Sequence, residues 1–170
     1  ITAVLAESFN RSNLAFRETI VESVPIRGVS SEFDQFSGYD TAAGRLPSRL
    51  EIERSRPVAL LGWDTADKVF KGRTAVDQQI KIRGMHFRVV GVIEKKGSMF
   101  GNSQDDFAII PLDKALQLFG TRRSLELTVK PSDPSLVDQA MDEARLAMRI
   151  ERRLRPRDDD NFGLYTSDTI

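Results

Sequence analysis

The chain has 170 residues, of which 40% are hydrophobic and 29% charged, and its 25 lysines and arginines balance its 25 aspartates and glutamates. This zero net charge argues against a global attraction to nucleic acid or to an anionic bilayer. The absence of cysteine excludes disulfides, thiolate metal ligands and a cysteine nucleophile. The single histidine, His86, excludes a His-rich zinc site and any catalytic triad that needs a second histidine.

The two ends of the chain indicate a fragment. Ile1 begins directly in a strand-like run with no signal peptide before it, and the last residues follow another strand-like run. No stretch approaches the ~20 apolar residues that span a bilayer. We therefore interpret residues 1–170 as one domain excised from a longer protein.

The first part of the chain predicts strands. The run ITAVLAES at 1–8 indicates a first strand, and a polar turn is expected at 10–13. Residues 14–29 again have strand character, with a break near Glu18 and with Pro25 marking a sheet edge or a bulge.

The segment after the first strands is mixed. GYDTAAGRLPS at 38–48 contains two glycines and a proline, so it is expected to be mostly loop. PVALLG at 57–62 is a short apolar run that predicts a buried strand. WDTADKVF at 63–70 places its apolar residues on one helical face and predicts a helix that stops at Gly72.

The middle of the chain predicts a β-hairpin. QIKIRGMHFRVVGVIEK at 79–95 has two alternating runs around a turn at 83–86. Because its second strand is apolar on both faces, that strand should lie centrally in its sheet. FAIIPL at 107–112 predicts another strand, and LDKALQLFG at 112–120 a short helix.

The last part predicts a βαβ unit. SLELTVK at 124–130 alternates as a strand, and residues 132–154 form the one long helix, with Asp133 as its cap and Pro134 in its first turn. NFGLYTS at 161–167 is expected to close the unit as a strand.

Together these elements predict an α+β fold with two lobes. Lobe A, a βαβ-containing α/β lobe, combines 1–30 with 106–170, and lobe B, a smaller β-rich insert, comprises 31–105. The terminal βαβ unit needs a sheet partner, for which the N-terminal strand is the natural candidate.

Two carboxylate clusters are the candidates for metal or acid–base chemistry. Asp105-Asp106 and Asp158–Asp160 would serve such chemistry only if they converged in a cleft. Adjacent side chains of an extended segment point to opposite faces, so we favour a structural role for both clusters. Asp106 is expected to accept backbone N–H groups at a turn.

Three further features have a functional and a structural interpretation. His86 is either a titrating switch or an exposed turn residue. Trp63 is either a ligand platform or a core or boundary residue. The arginine-rich run 149–157 is either a phosphate or lipid-headgroup site or an ordinary helix C-terminus. We favour the structural interpretation of each. No phosphate-binding glycine loop or nucleophile elbow is present.

The order of several segments resembles a known family, the extracytoplasmic (periplasmic core) domain of MacB-like, FtsX-like ABC transporter permeases. The segments that carry the resemblance are IRGVSSEF (26–33), AAGRLPS (42–48), PVALLGWDTADKVFKG (57–72), residues 78–112, and RLRPRDDDNFGLYTSDTI (153–170). One departure is the turn at 75–77, where Ala-Val-Asp replaces the family's Pro-x-Gly. Because aspartate tolerates left-handed backbone conformations, we expect the turn to survive.

The resemblance implies a non-enzymatic domain on the extracytoplasmic face of the bacterial cytoplasmic membrane, between the first two helices of a multi-pass permease. It implies one porter-like lobe and one smaller insert. It implies no cofactor in this segment, since ATP would bind a separate cytoplasmic ATPase domain or subunit. The implied partners are that ATPase, a second permease copy and a periplasmic adaptor, and the implied role is transmission of conformational change during efflux.

The stretch KKGSMFGNSQDD is then a connector between the lobes. Met99 and Phe100 are too apolar for an idle exposed loop, so they either pack beneath the lobe, which we favour, or contact a partner together with Lys95 and Lys96. Alternatives to efflux are the same domain in a lipoprotein-releasing permease, a metal-dependent hydrolase that uses the aspartate clusters, and a solute-binding module with an apolar pocket.

Overall fold

The computed structural model describes residues 1–166 and divides the chain into two compact units. The larger unit is Leu5–Leu127, and the smaller one combines Ile1–Val4 with the chain from Thr128 onward.

Ten strands and five α-helices are present in the described residues. The strands are β1 Ala3–Phe16, β2 Thr19–Val29, β3 Thr41–Gly44, β4 Val58–Leu61, β5 Gln79–Ile82, β6 Met85–Ile93, β7 Ser98–Met99, β8 Asn102–Ser103, β9 Ala108–Pro111 and β10 Glu126–Lys130. The helices are α1 Phe33–Phe36, α2 Arg49–Glu53, α3 Trp63–Phe70, α4 Leu112–Phe119 and α5 Val137–Glu151, the last preceded by a 3₁₀ turn at Pro134–Leu136.

Six strands of the larger unit pair in a closed ring. Strand β1 pairs antiparallel with β2, β2 parallel with β9, and β9 antiparallel with β4. Strand β4 pairs parallel with β6, and β5 pairs antiparallel with both β6 and β1, which closes the circuit. Closure leaves these six strands without an unpaired edge strand among them. Strand β3 is added outside the ring, antiparallel to β6.

Neighbouring residues of the buried strands belong to two different apolar clusters. Leu61 packs in a cluster with α3 and α4, whereas Leu60 packs in a cluster with α1 and α2. Ile110 and Ile109 divide between the same two clusters. This alternation follows from the strand pleat, which turns successive side chains to opposite faces. The strands therefore read as continuous apolar runs, as strands covered on both faces do.

Several sequence predictions are confirmed in this unit. Strands β4 and β9 and helices α3 and α4 form where predicted, and β5 and β6 form the predicted hairpin. Strand β6 is central, with β4 on one side and β3 and β5 on the other. Asp77 adopts the left-handed conformation at φ 70°, and the Gln78 N–H donates to the Ala75 carbonyl at 3.1 Å, so the substituted turn survives.

One prediction for the first half is wrong. Strand β1 runs through the expected polar turn at 10–13, and the chain reverses instead after Phe16. The polar residues are accommodated because they bond across the hairpin: Arg11 Nη1 donates to the Ser23 carbonyl at 2.8 Å, and Asn13 Oδ1 accepts from the Ser23 N–H at 3.2 Å. The segment 38–48 is mostly loop, as predicted, and contains one short strand, β3.

Helix α2 is short and depends on a capping box. The Ser48 hydroxyl accepts from the Glu51 N–H, and the Glu51 carboxylate accepts from the Ser48 N–H at 2.9 Å. Arg45 Nη1 contacts the same carboxylate at 2.6 Å, and this hydrogen bond is the main reason that the pKa of Glu51 falls from 4.5 to about 2. Helix α2 then buries Ile52 in the second apolar cluster.

The smaller unit contains most of β10, together with α5. The Thr2 N–H donates to the Lys130 carbonyl at 2.9 Å, and the Asp133 side chain accepts from the Ser135 N–H as the predicted cap. The predicted strand 161–167 is wrong in its described part: residues 161–166 form no strand, and residue 167 lies outside the described residues. No βαβ unit is therefore completed within residues 1–166.

The loop at 155–160, which follows α5, is held in place by the Arg149 side chain. Arg149 contacts the Asp160 carboxylate at 2.6 Å and donates to the carbonyls of Arg155 and Asp158 at 2.7 and 2.9 Å. These bonds satisfy two backbone acceptors of the loop that follows α5.

The predicted lobe boundaries also require correction. The structure divides the chain after residues 4 and 127 rather than at 30/31 and 105/106. Strands β2 and β9, assigned to lobe A, share one sheet with β4 and β6, assigned to lobe B. The physical reason is that β4 and β9, both buried on both faces, pair directly with each other.

Candidate partner-docking hairpin

The loop between β6 and β9 carries a two-stranded hairpin, β7–β8, in which Ser98 pairs with Ser103 and Met99 with Asn102. Phe100 and Gly101 form its tip with φ values of 51° and 80°. Positive φ at both central residues is the signature of a type I′ turn, in which asparagine or glycine usually precedes the glycine. A bulky aromatic residue in this conformation is an outlier of the kind that concentrates at functional sites.

The tip is exposed to solvent. Phe100 is 96% exposed and Met99 55% exposed, so the expectation that these residues pack beneath the lobe is wrong. The reason is that Phe100 lies in the two-residue turn at the hairpin tip. Lys95 and Lys96 are exposed as well, and Lys96 Nζ lies 4.5 Å from the centre of the Tyr39 ring, a cation–π contact.

The stem of the hairpin is held by one buried carboxylate. Asp105 is fully buried, and its two carboxylate oxygens accept from the backbone N–H groups of Lys96 and Gly97 at 2.8 and 2.7 Å. Its own N–H donates to the Ser103 hydroxyl at 3.0 Å. Charged acceptors make the stronger protein hydrogen bonds, so both strands of the hairpin are tied to one residue.

The same residue joins the hairpin to α3. The Asp105 carbonyl accepts from the Asp64 N–H at 3.1 Å, and the Ser103 hydroxyl donates to the Asp64 carboxylate. Gly62 permits this approach, because a Cβ atom there would lie 2.2 Å from the Asp105 carbonyl oxygen. The hairpin is therefore fixed to the first turn of a helix whose other face lies in the core.

The role predicted for Asp106 belongs to its neighbour. Asp106 accepts from the Thr65 hydroxyl at 2.9 Å and lies 3.7 Å from Lys68 Nζ, while Asp105 takes the backbone N–H groups. The assignment is shifted by one residue because adjacent side chains diverge: one enters the loop interior and the other faces α3.

A polar network beside the second apolar cluster, missed in the sequence, reaches Lys96 just before the hairpin. Glu7 is buried and contacts Arg27 Nη2 at 2.6 Å, and Arg27 Nη1 donates to the Tyr39 hydroxyl at 2.9 Å. Burial lowers the pKa of Arg27, but the Glu7 hydrogen bond and charge outweigh it, so the pKa is raised overall. In the sequence, the available signal was one acidic and one basic residue, Glu7 and Arg27, in two largely apolar strands. Because buried charges are almost always paired, such residues are expected to contact each other. Tyr39 then contacts Lys96.

The other residues that the sequence suggested as functional candidates are exposed, ion-paired or at the boundary of the core. His86 is exposed beside the β5–β6 turn. In the arginine-rich run at 149–157, Arg149 pairs with Asp160 and Arg155 with Asp158. Among residues 1–166, no group of three or more His, Asp or Glu side chains is arranged to hold a metal ion. Trp63 is 38% exposed at the first residue of α3, which places it at the boundary.

Comparison with known proteins identifies the family. The family model described as "MacB-like periplasmic core domain" matches residues 1–147. A macrolide export ATP-binding/permease protein, MacB, from Rhodospirillum rubrum is 30% identical over 143 residues, which cover 82% of this chain and 22% of that protein. The chain spans about a fifth of the length of the curated relatives it matches.

Solved structures share the fold. The extracellular domain of the noncanonic ABC-type transporter YknZ from Gram-positive bacteria has a TM-score of 0.79 at 15% identity, covering 91% of this chain and 78% of that one. The periplasmic region of MacB from Actinobacillus actinomycetemcomitans has a TM-score of 0.76 at 17% identity, covering 90% and 68%.

In the described part of the chain, no helix is both long and apolar enough to cross a membrane. The mixed, sheet-dominated fold and the match over residues 1–147 lead to one conclusion: the chain belongs to the MacB-like periplasmic core domain family.

Proposed function

We propose that this chain is the extracytoplasmic module of an ABC transporter permease and that it docks a periplasmic partner through the β7–β8 hairpin during efflux. ATP is hydrolysed on a separate domain or subunit, and the module itself makes and breaks no covalent bond. It acts as a rigid element that carries conformational change from a pair of membrane-embedded permeases to the docked protein. The family match and the named relatives support this assignment.

The observation that carries the docking role is the state of the hairpin tip. An aromatic side chain that is 96% exposed, held in a left-handed conformation, gains nothing from the fold of this domain. The same tip stands on a stem that is fixed by a buried carboxylate and by α3. An exposed apolar residue on a rigid support is the arrangement expected of a binding anchor, because little conformational entropy is lost when it docks.

The stem also offers a route for coupling. Glu7 lies on β1 and Arg27 on β2, and their contacts continue through Tyr39 to Lys96 at the base of the hairpin. Movement of the first two strands would reach the hairpin through these contacts. In this proposal the network transmits the state of the permease to the docking tip.

The test is binding of the full-length transporter, in lipid nanodiscs, to the purified product of an adaptor gene adjacent to the permease gene. Phe100→Ser is expected to weaken binding about 30-fold, which corresponds to an anchor residue worth about 2 kcal/mol. Ile20→Ser is the matched control, because Ile20 is 62% exposed in the β1–β2 hairpin. Wild-type affinity of the Phe100 variant would overturn the docking role.

A further inference from the structure

We infer that Trp63 belongs to the same docking surface as Met99 and Phe100, and that this three-residue apolar knob fits a protein partner with a concave apolar pocket. The inference rests on the proposed docking role of the hairpin. It adds a residue from a different element, α3, and specifies the shape and chemistry of the surface that binds.

The first support is the bond between the two elements. Asp64, the residue after Trp63, accepts from the Ser103 hydroxyl, and Ser103 follows the residue that pairs with Met99. Standard backbone and cross-strand spacings then keep the Cα atoms of Trp63 and Met99 within about 20 Å. One side of an ordinary protein interface buries about 800 Å², a patch about 30 Å across. Both residues fall within one such patch.

The second support is that α3 does not need Trp63 for its own packing. Ala66, Val69 and Phe70 supply the buried face of the helix, and all three lie in the first apolar cluster. Trp63 keeps 38% of its surface exposed at the first position of the helix. Tryptophan, phenylalanine and methionine are residue types enriched in the cores of protein interfaces, and tryptophan leads among binding hot spots.

The third support is rigidity. Asp105 ties the hairpin stem to α3 through its carboxylate, its N–H and its carbonyl group. The three apolar side chains therefore stand on elements that keep a fixed relation before any partner arrives. Preorganisation of this kind lowers the conformational entropy that this chain loses when a partner binds.

The charges around the knob favour a protein over a lipid surface. Carboxylates that are at least partly exposed accompany the apolar residues at Asp64, Asp67, Glu94 and Asp106. These four carboxylates outnumber the three lysines of the same segments, Lys68, Lys95 and Lys96. Lys68 already lies 3.7 Å from the Asp106 carboxylate. An anionic bilayer attracts basic clusters and gains nothing from this mixture. A polar rim around a small apolar centre is instead the anatomy of a protein interface.

The test uses the single tryptophan of the chain. The 170-residue protein labelled with 5-fluorotryptophan gives one ¹⁹F resonance from Trp63, which is followed during titration with the purified adaptor and, separately, with vesicles of phosphatidylglycerol and of phosphatidylcholine. The inference predicts a shift of the resonance with the adaptor and no shift with either vesicle. Trp63→Ala should weaken adaptor binding about tenfold, Trp63→Phe less than threefold, and Leu50→Ala, at a residue that is 51% exposed on α2, should have no effect.

The outcomes separate this inference from the proposed function. If Phe100→Ser abolishes adaptor binding but the Trp63 resonance does not move, the docking role stands and the extension to Trp63 is overturned. If the adaptor does not bind at all, the proposed function itself is overturned. A shift with either vesicle would overturn the protein partner and identify a lipid-binding knob.

Discussion

Replacement of Asp105 by asparagine tests the architecture of the hairpin most severely. The wild-type carboxylate accepts two backbone N–H groups, from Lys96 and Gly97, at 2.8 and 2.7 Å with no exposed surface. The asparagine amide has nearly the same shape but only one acceptor oxygen. One backbone N–H must then face the NH₂ group of the new side chain without an acceptor.

The magnitude follows from that count. A hydrogen bond to a charged group contributes about 1.5–3 kcal/mol, and a buried donor without a partner costs about 1–3 kcal/mol. We expect the free energy of unfolding to fall by about 2–3 kcal/mol. Where the hairpin detaches before the domain unfolds, the same loss appears locally, as a decrease of about 30- to 150-fold in hydrogen-exchange protection of the Lys96 and Gly97 amides.

The assay combines urea denaturation with amide hydrogen exchange. Asp106→Asn is the matched control, since Asp106 is adjacent in sequence but forms only a partly exposed contact with Lys68 and a bond from Thr65. Its effect should stay below about 1 kcal/mol. Unchanged stability together with unchanged exchange at Lys96 and Gly97 in the Asp105 variant would refute the role of the Asp105 carboxylate in holding the hairpin stem.

Three further predictions address other elements. Glu51→Gln should lower the unfolding free energy by about 0.5–1 kcal/mol at pH 7, a figure reduced for solvent screening because the Arg45 side chain that it contacts is half exposed. Since the folded pKa of Glu51, about 2, lies below the ordinary 4.5, the wild-type advantage should be complete above pH 4.5 and vanish as the pH falls to 2, as acid titrations of both proteins can show. Asp77→Gly should change stability by less than about 0.5 kcal/mol, whereas Asp77→Val should cost about 1–2 kcal/mol. The reason is that residue 77 has a φ of 70°, which a β-branched side chain rarely adopts. Equal thermal stability of the two variants would contradict the turn geometry. Gly62→Ala should cost about 1–3 kcal/mol, because its Cβ would lie 2.2 Å from the Asp105 carbonyl oxygen, while Gly38→Ala, with nothing within 4 Å, should be neutral in the same denaturation assay.

Local periodicity was sufficient for most elements of the sheet. Strands β4 and β9 were predictable from short apolar runs, and the β5–β6 hairpin from its alternation around a glycine turn. Closure of the ring was not predictable, because it depends on the pairing of Leu14 with Ile82, which are far apart in sequence. The lobe boundaries failed for the same reason: nothing local shows that β4 pairs with β9.

The site was predictable in part. An apolar pair between polar residues marked Met99 and Phe100 as unusual, but their exposure depends on the left-handed turn at the tip, which phenylalanine rarely adopts. The sequence predicts Asp106 as the acceptor of the backbone N–H groups that Asp105 in fact bonds, because sequence alone does not show which of two adjacent side chains faces inward. For Trp63 the sequence favours a core or boundary residue, and its exposure at the start of α3 follows from neighbours that already supply the buried face of the helix.

The most direct test of the docking claim is site-specific photo-crosslinking in intact cells. A photoreactive phenylalanine analogue is placed at Phe100 or, as the control, at Ile20 of the full-length transporter, and the adaptor protein is detected by an epitope tag. We predict a crosslink to the tagged adaptor from position 100 and none from position 20. No adaptor crosslink from position 100, or equal crosslinking from both positions, would contradict it.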